Sequence, residues 1–161
     1  MPQYFLEPRN CELSLLFYLD TNLTADWPGT TVAKTWKQVY SKDVDLPIVL
    51  VHLADTASTR LEVGANTLEN RHLLILNLFT RSHGQRLDMA YYIKNKLKDG
   101  WVSYLHSHAS GDSSTLVRTV NGRDTVTDWI GDSVIDVGET TDDKDRFRHS
   151  LSIRVRHKDA P

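Results

Sequence analysis

Residues 72–98 read HLLILNLFTRSHGQRLDMAYYIKNKLK, and this stretch decides the fold. Its first nine residues, 72–80, are too few and too uniformly apolar for a surface helix, so they predict a central strand covered on both faces. A helix follows at once. Ser82 and Gln85 make an S-x-x-Q capping box, and Met89, Ala90, Ile93 and Leu97 trace one stripe at helical spacing. Lys94, Lys96 and Lys98 suit the negative C-terminal end of the helix dipole, and Gly100 can take the left-handed conformation that ends it.

Upstream, Asn10 suits an N-cap and Glu12 a first turn, while Leu13, Leu16 and Phe17, with Leu15 and Leu19 beside them, predict a largely buried first helix. Trp27-Pro28-Gly29 breaks the chain. Val32, Trp36, Val39 and Tyr40 fit a short helix, although Val32 and Trp36 also fit strand alternation, and the two readings stay open. Residues 48–53 are β-branched and apolar, as in a buried strand, with residues 60–63 a short partner closed by Gly64. Downstream, residues 101–105 suit a strand and residues 109–114 a loop. Residues 116–120 and 123–127 flank Asn121-Gly122, which predicts a tight two-residue hairpin turn. Residues 129–137 continue the sheet, with an irregularity at Gly131. In the last strand Phe147, Leu151, Ile153 and Val155 share one face, and Arg148, Ser150, Ser152, Arg154 and Arg156 share the other. The class expected is α+β: a mostly antiparallel or mixed sheet packed against two helices. The whole chain, 1–161, reads as one domain, with 109–145 an acidic hairpin or loop elaboration.

Composition agrees. The chain has 161 residues, 40% hydrophobic and 25% charged, which is ordinary globular usage and excludes collagen, coiled coil and wholesale disorder. Its longest apolar run is far short of the ~20 residues that cross a bilayer. The start of the chain lacks both a basic cluster and a long apolar stretch, so no signal peptide is expected. Cys11 is the single cysteine, which leaves no internal disulfide and no cysteine zinc cluster and fits a reducing compartment. Trp36 and Trp101 read as core, and Trp129, between Asp128 and Asp132, as a residue of either core or interface.

Lysine and arginine total 19 against 21 acidic residues, a net charge of −2 that argues against nucleic acid as the main partner. The charge is blocked along the chain. Residues 60–98 are basic, 112–145 acidic and 146–158 basic again. One reading is that these charges coat solvated faces. The other is head-to-tail pairing of a basic face with an acidic face on the next copy, an arrangement that closes into rings when the rotation allows.

No chemical motif stands out. There is no glycine-rich phosphate cradle and no nucleophile elbow, and Cys11 falls in a helix read as buried, where a thiol is inert packing. His106 and His108, two apart on a strand, with Asp112 as an oxygen donor, form the best metal set. Without cysteines or an H-E-x-x-H helix they read as ordinary strand-end histidines, so no catalytic residue, cofactor or metal ligand is assigned. Asp142 and Asp143 read as a solvated acidic loop.

The order of elements does resemble a known family. An N-terminal helix, then 45–51 (DLPIVLV), 60–64 (RLEVG), Asn70-Arg71-His72 into the core strand, the helix over 85–97 and the closing 145–148 (DRFR) strand resemble the tail terminator, or tail completion, proteins of long-tailed, non-contractile bacteriophages. The resemblance runs over residues 10–156. It implies a structural, non-enzymatic virion protein, assembled in the host cytoplasm into a ring, usually a hexamer. That ring caps the head-proximal end of the tail tube, stops tube polymerisation and presents a surface for head attachment. Partners implied are further copies of itself, the tail tube protein and a head completion or neck protein, with DNA only passing through the lumen and no membrane. Interface residues expected from charge are Arg86, Lys94 and Lys98 on the helix, Arg148, Arg154 and Arg156 on the last strand, and Asp128, Trp129 and Asp132 in the acidic segment. The alternatives are a head completion or neck protein and, from another class, a small metal-dependent enzyme.

Overall fold

The computed structural model describes residues 7–60, 68–109, 112–135 and 144–159. Its elements run α1 (Glu7–Asp26), β1 (Thr31–Ala33), α2 (Trp36–Val39), β2 (Ile48–Arg60), β3 (Leu68–Phe79), α3 (His83–Leu97), β4 (Trp101–Ala109), β5 (Asp112–Ile135) and β6 (Arg148–Asp159). All six strands join one curled sheet in the order β1-β2-β3-β6-β5-β4. Among the described residues only the β1–β2 pair is parallel. The architecture is α+β, and β3 lies inside the sheet between β2 and β6, as its uniform apolarity requires.

One face of the sheet carries α1 and α3. Cys11, Leu15, Leu19 and Leu23 of α1 and Met89, Ile93 and Leu97 of α3 meet Val49, Val51, Leu74, Leu76, Leu78, Leu151, Ile153 and Val155, all buried. A smaller core of Ala33, Val39, Ile48, Leu50 and Phe79 forms beneath α2. The helix α2 is a single turn, and it resolves the ambiguity over 32–40: Thr31–Ala33 is strand, and a full capping box of Thr35 with Gln38 then opens the helix. There are therefore three helices in the described residues, where two were expected.

Several expectations need correction. Asn10 is not an N-cap, because α1 begins at Glu7 and Asn10 lies inside it, buried. Arg60 belongs to β2, whose partner is β3; residues 61–63 lie outside the described residues. Asn121-Gly122 makes no hairpin turn. β5 runs straight through it for 24 residues, and the pairing with β4 jumps from Ser103–Gly122 to Tyr104–Val120, so that Asn121 is the extra residue of a bulge and Gly122 takes φ 149°. Residues 112–114, expected as loop, are strand, while 110–111 and 136–143 lie outside the described residues. The irregularity expected at Gly131 is present, between Trp129 and Gly131. Ser82 does accept the Gln85 N–H at 3.2 Å, but Gln85 Oε1 reaches the N–H of Arg81 instead of Ser82, so the box is half formed. Trp101 is in the core, whereas Trp36 is 39% exposed on α2, its ring contacted by Arg148, Phe79, Tyr40 and His52.

The helix α1 also manages the edges of the sheet. Curling brings both β4 and β2 beside it, and three of its polar side chains take backbone donors from them. Ser14 Oγ accepts the Tyr104 N–H at 2.9 Å and Asn10 Oδ1 accepts the His106 N–H at 3.1 Å, both on β4. Glu12 Oε1 accepts the Leu53 N–H of β2 at 2.8 Å. An edge strand otherwise offers such donors to any passing chain. Here Asn10, Glu12 and Ser14 stitch the curled sheet shut along α1.

Candidate assembly surface

The residues expected at interfaces fall into three groups in space. Lys94 of α3 meets the acidic segment within the chain: Nζ lies 2.7 Å from Asp132 Oδ2 and 5.6 Å from the centre of the Trp129 ring. Asp132 also takes His149 Nε2 at 2.6 Å. The hydrogen bond from Lys94, helped by His149, holds the Asp132 carboxyl below the usual carboxylate range. Basic helix and acidic strand, read from the sequence as partners on different copies, thus touch each other in one subunit.

The second group is the basic face of β6. Arg156 Nε sits 2.6 Å from Glu69 Oε1 of β3, and Arg154 lies 3.9 Å from Asp128 Oδ2 directly across the β5–β6 ladder. Arg148 donates to Asn77 Oδ1 at 2.8 Å and stacks over the rings of Trp36 and Phe79. Arg154 and Arg156 are the partly exposed cations here, and Arg148 is spent on holding α2 against the sheet.

Arg86 requires correction. It was expected on an exposed basic helix face, yet it is 5% exposed, on the same stripe as Met89, Ala90 and Ile93. Its guanidinium donates to the Arg148 carbonyl and meets His83 Nδ1, so it braces α3 on β6. Lys98 remains exposed at the end of α3.

What unifies this region is backbone as well as charge. The β4 ladder stops at Trp101–Asp124, so residues 126–135 of β5 pair with β6 on one side and with no strand on the other among the described residues. This open edge carries Trp129, Ile130 and Val134 at 37%, 49% and 47% exposure, and Leu87 and Tyr91, at helical spacing before Lys94 on α3, are exposed as well. Sequence reasoning singled out Trp129 and its flanking aspartates and did not single out Ile130, Val134 or the free edge. Alternating aspartate and apolar residues were the signal available.

The residues considered for metal chemistry are arranged differently. His106 is buried on β4, its Nε2 3.3 Å from Ser14 Oγ, and burial with help from Arg118, Arg9 and Lys34 lowers its pKa to about 4. The side chains of His108 and Asp112 lie outside the described residues. No group of three His, Cys, Asp or Glu side chains able to hold a metal ion occurs among the described residues. Cys11 is buried against the core, which raises its thiol pKa well above the usual value. A buried polar cluster that the sequence did not suggest lies beside it: Asp124 Oδ1 meets His157 Nδ1 at 2.8 Å, and Glu7 Oε1 meets the fully buried His72 Nε2 at 3.2 Å. A surface cleft of about 440 Å³ between α1 and β4 is lined by Phe17, Tyr18, Trp101, Tyr104, Lys96 and Arg123, among others. Among the described residues no His, Cys or Ser lines it. No helix among the described residues is long and apolar enough to cross a membrane.

No protein-family model matches this chain, and no curated protein matches it.

Proposed function

We propose that this chain is a structural virion subunit of the tail terminator kind: a ring on the head-proximal end of a phage tail tube that halts tube growth and offers the head a docking surface. The observation that carries this reading is the open, acidic and partly apolar edge of β5, on a subunit whose other sheet edge along β4 is sealed by α1. A subunit that leaves a stretch of strand edge open is suited to assembly with copies or partners. The order of helix, strand pair, helix and closing strand on which the resemblance rests is also the order of α1, β2, β3, α3 and β6.

In this reading the chain's own copies and the tube protein are its first partners, the head completion or neck protein its later one, and DNA passes through the ring without a dedicated site. The test is localisation. Virions carrying a short epitope tag on this chain are separated into heads and tails and labelled with gold-conjugated antibody. Label on the head-proximal tip of isolated tails is the expected result. Label on heads alone moves the chain to the neck, and label on neither removes both assignments.

A further inference from the structure

We propose that copies of this chain join by strand addition, residues 126–135 of one copy pairing with residues 54–60 of the next, so that one curled sheet continues into its neighbour. The inference rests on the assembly reading above and names its contact.

Two strand segments lack an outer partner among the described residues, and they lie on opposite sides of the sheet. On β5 pairing with β4 ends at Asp124. On β2 pairing with β1 ends at Leu50, Glu12 takes the Leu53 N–H and Asp55 Oδ1 takes the Thr56 N–H, which leaves 54–60 with β3 as its one strand partner among the described residues. Open donors and acceptors on exposed edges are the raw material of strand addition.

Charge chooses between the ways of using them. If the β5 edge paired antiparallel with itself about Ile130, Asp128 of one copy would face Asp132 of the other, and like charges directly opposite oppose pairing. The β2 edge presents Ala54, Thr56, Ala57 and Ser58, small residues, three of them exposed, with Asp55 the single acid between them. Small side chains there leave room for Trp129, Ile130 and Val134, whose exposed apolar surface gains by being covered. Joining two different edges is a heterologous contact, which repeats head to tail and closes when the rotation allows.

The experiment follows self-association of the purified full chain by sedimentation velocity, up to about 1 mM. Three proteins are compared: wild type, Ile130→Lys with Val134→Lys, and Ala54→Lys with Ala57→Lys, lysine on an edge being a known block to pairing. Wild type associates, and each variant weakens association by roughly tenfold or more. An equal mixture of the two variants forms a one-to-one dimer and nothing larger, because each supplies the edge the other lacks. Hydrogen exchange on the wild type alone, as a function of concentration, covers the case of a misfolded variant: amides in 54–60 and 126–135 gain protection as concentration rises. A wild type that stays monomeric, variants that associate like it, or protection that builds elsewhere overturns the contact. Association through these edges in a chain whose loss leaves tails of normal length would uphold the contact and remove the terminator function.

Discussion

Replacing Ser14 by alanine tests how the curled sheet is held closed. Ser14 is completely buried, and its Oγ is the partner of the Tyr104 N–H at 2.9 Å. Alanine leaves that edge donor facing apolar surroundings, a loss of about 1–3 kcal/mol for a buried group without a partner. Alanine also favours the helix by about 0.5 kcal/mol relative to serine. The net is a destabilisation of about 0.5–2.5 kcal/mol. For a urea m-value of about 2 kcal/mol/M this moves the unfolding midpoint down by about 0.25–1.25 M. Asn10→Ala, which orphans the His106 N–H, is expected to act alike, and the double variant to fall short of the sum because both donors lie on one strand edge. Amide exchange supplies the local readout, with Tyr104 losing protection in Ser14→Ala and His106 in Asn10→Ala. A Ser14→Ala protein as stable as wild type, with Tyr104 still protected, would refute the role assigned to α1.

Other expectations are quickly checked. His106, whose pKa is about 4 in the folded chain and near ~6.5 when unfolded, takes up its proton more readily in the unfolded state, so stability falls as pH drops from ~6.5 towards 4 and is unaffected above that window. Urea titrations at pH 7 and pH 5 should differ by about 1–2 kcal/mol from this group after allowance for solvent screening, and His106→Gln should remove that difference. Gly100→Ala should cost at least about 2 kcal/mol in thermal or urea unfolding, because Gly100 has φ 71° and a Cβ there would lie 2.3 Å from the Asp124 carbonyl oxygen; a near-neutral result would contradict the backbone geometry. Arg154→Glu with Arg156→Glu breaks an exposed ion pair to Asp128 and one to the nearly buried Glu69, which keeps Arg71 as a second partner, and should leave the fold intact by circular dichroism while blocking assembly with the tube; a folded variant that still caps tails contradicts the surface role given to these residues.

The fold was most legible where one local signal had no competitor. The uniform apolarity of 72–80 marks a strand buried on both faces, and the stripe through Met89, Ile93 and Leu97 marks α3, because covering by neighbours imposes those patterns directly. Asn121-Gly122 misled for a physical reason. The backbone freedom that lets this pair turn a hairpin equally lets it absorb an extra residue in a bulge, and only pairing with both β4 and β6 decides between them. Asn10 and Ser14 were not legible as edge partners: two polar residues four apart on the buried side of a helix need partners, but those partners lie ninety or more positions away on β4. Charge blocks along the sequence hid the contacts among Lys94, Trp129 and Asp132, since blocks separated in sequence are brought side by side by the sheet. Arg86 shows the limit of counting charges on a helix, for its position within the stripe of Met89 and Ile93 outweighs its polarity.

If this chain ends tail-tube growth, as we propose, then disrupting its gene in the genome that encodes it leaves filled heads beside unattached tails of irregular and excessive length, seen by electron microscopy of the lysate. Tails of regular length beside those heads, or normal virions, would overturn the terminator assignment.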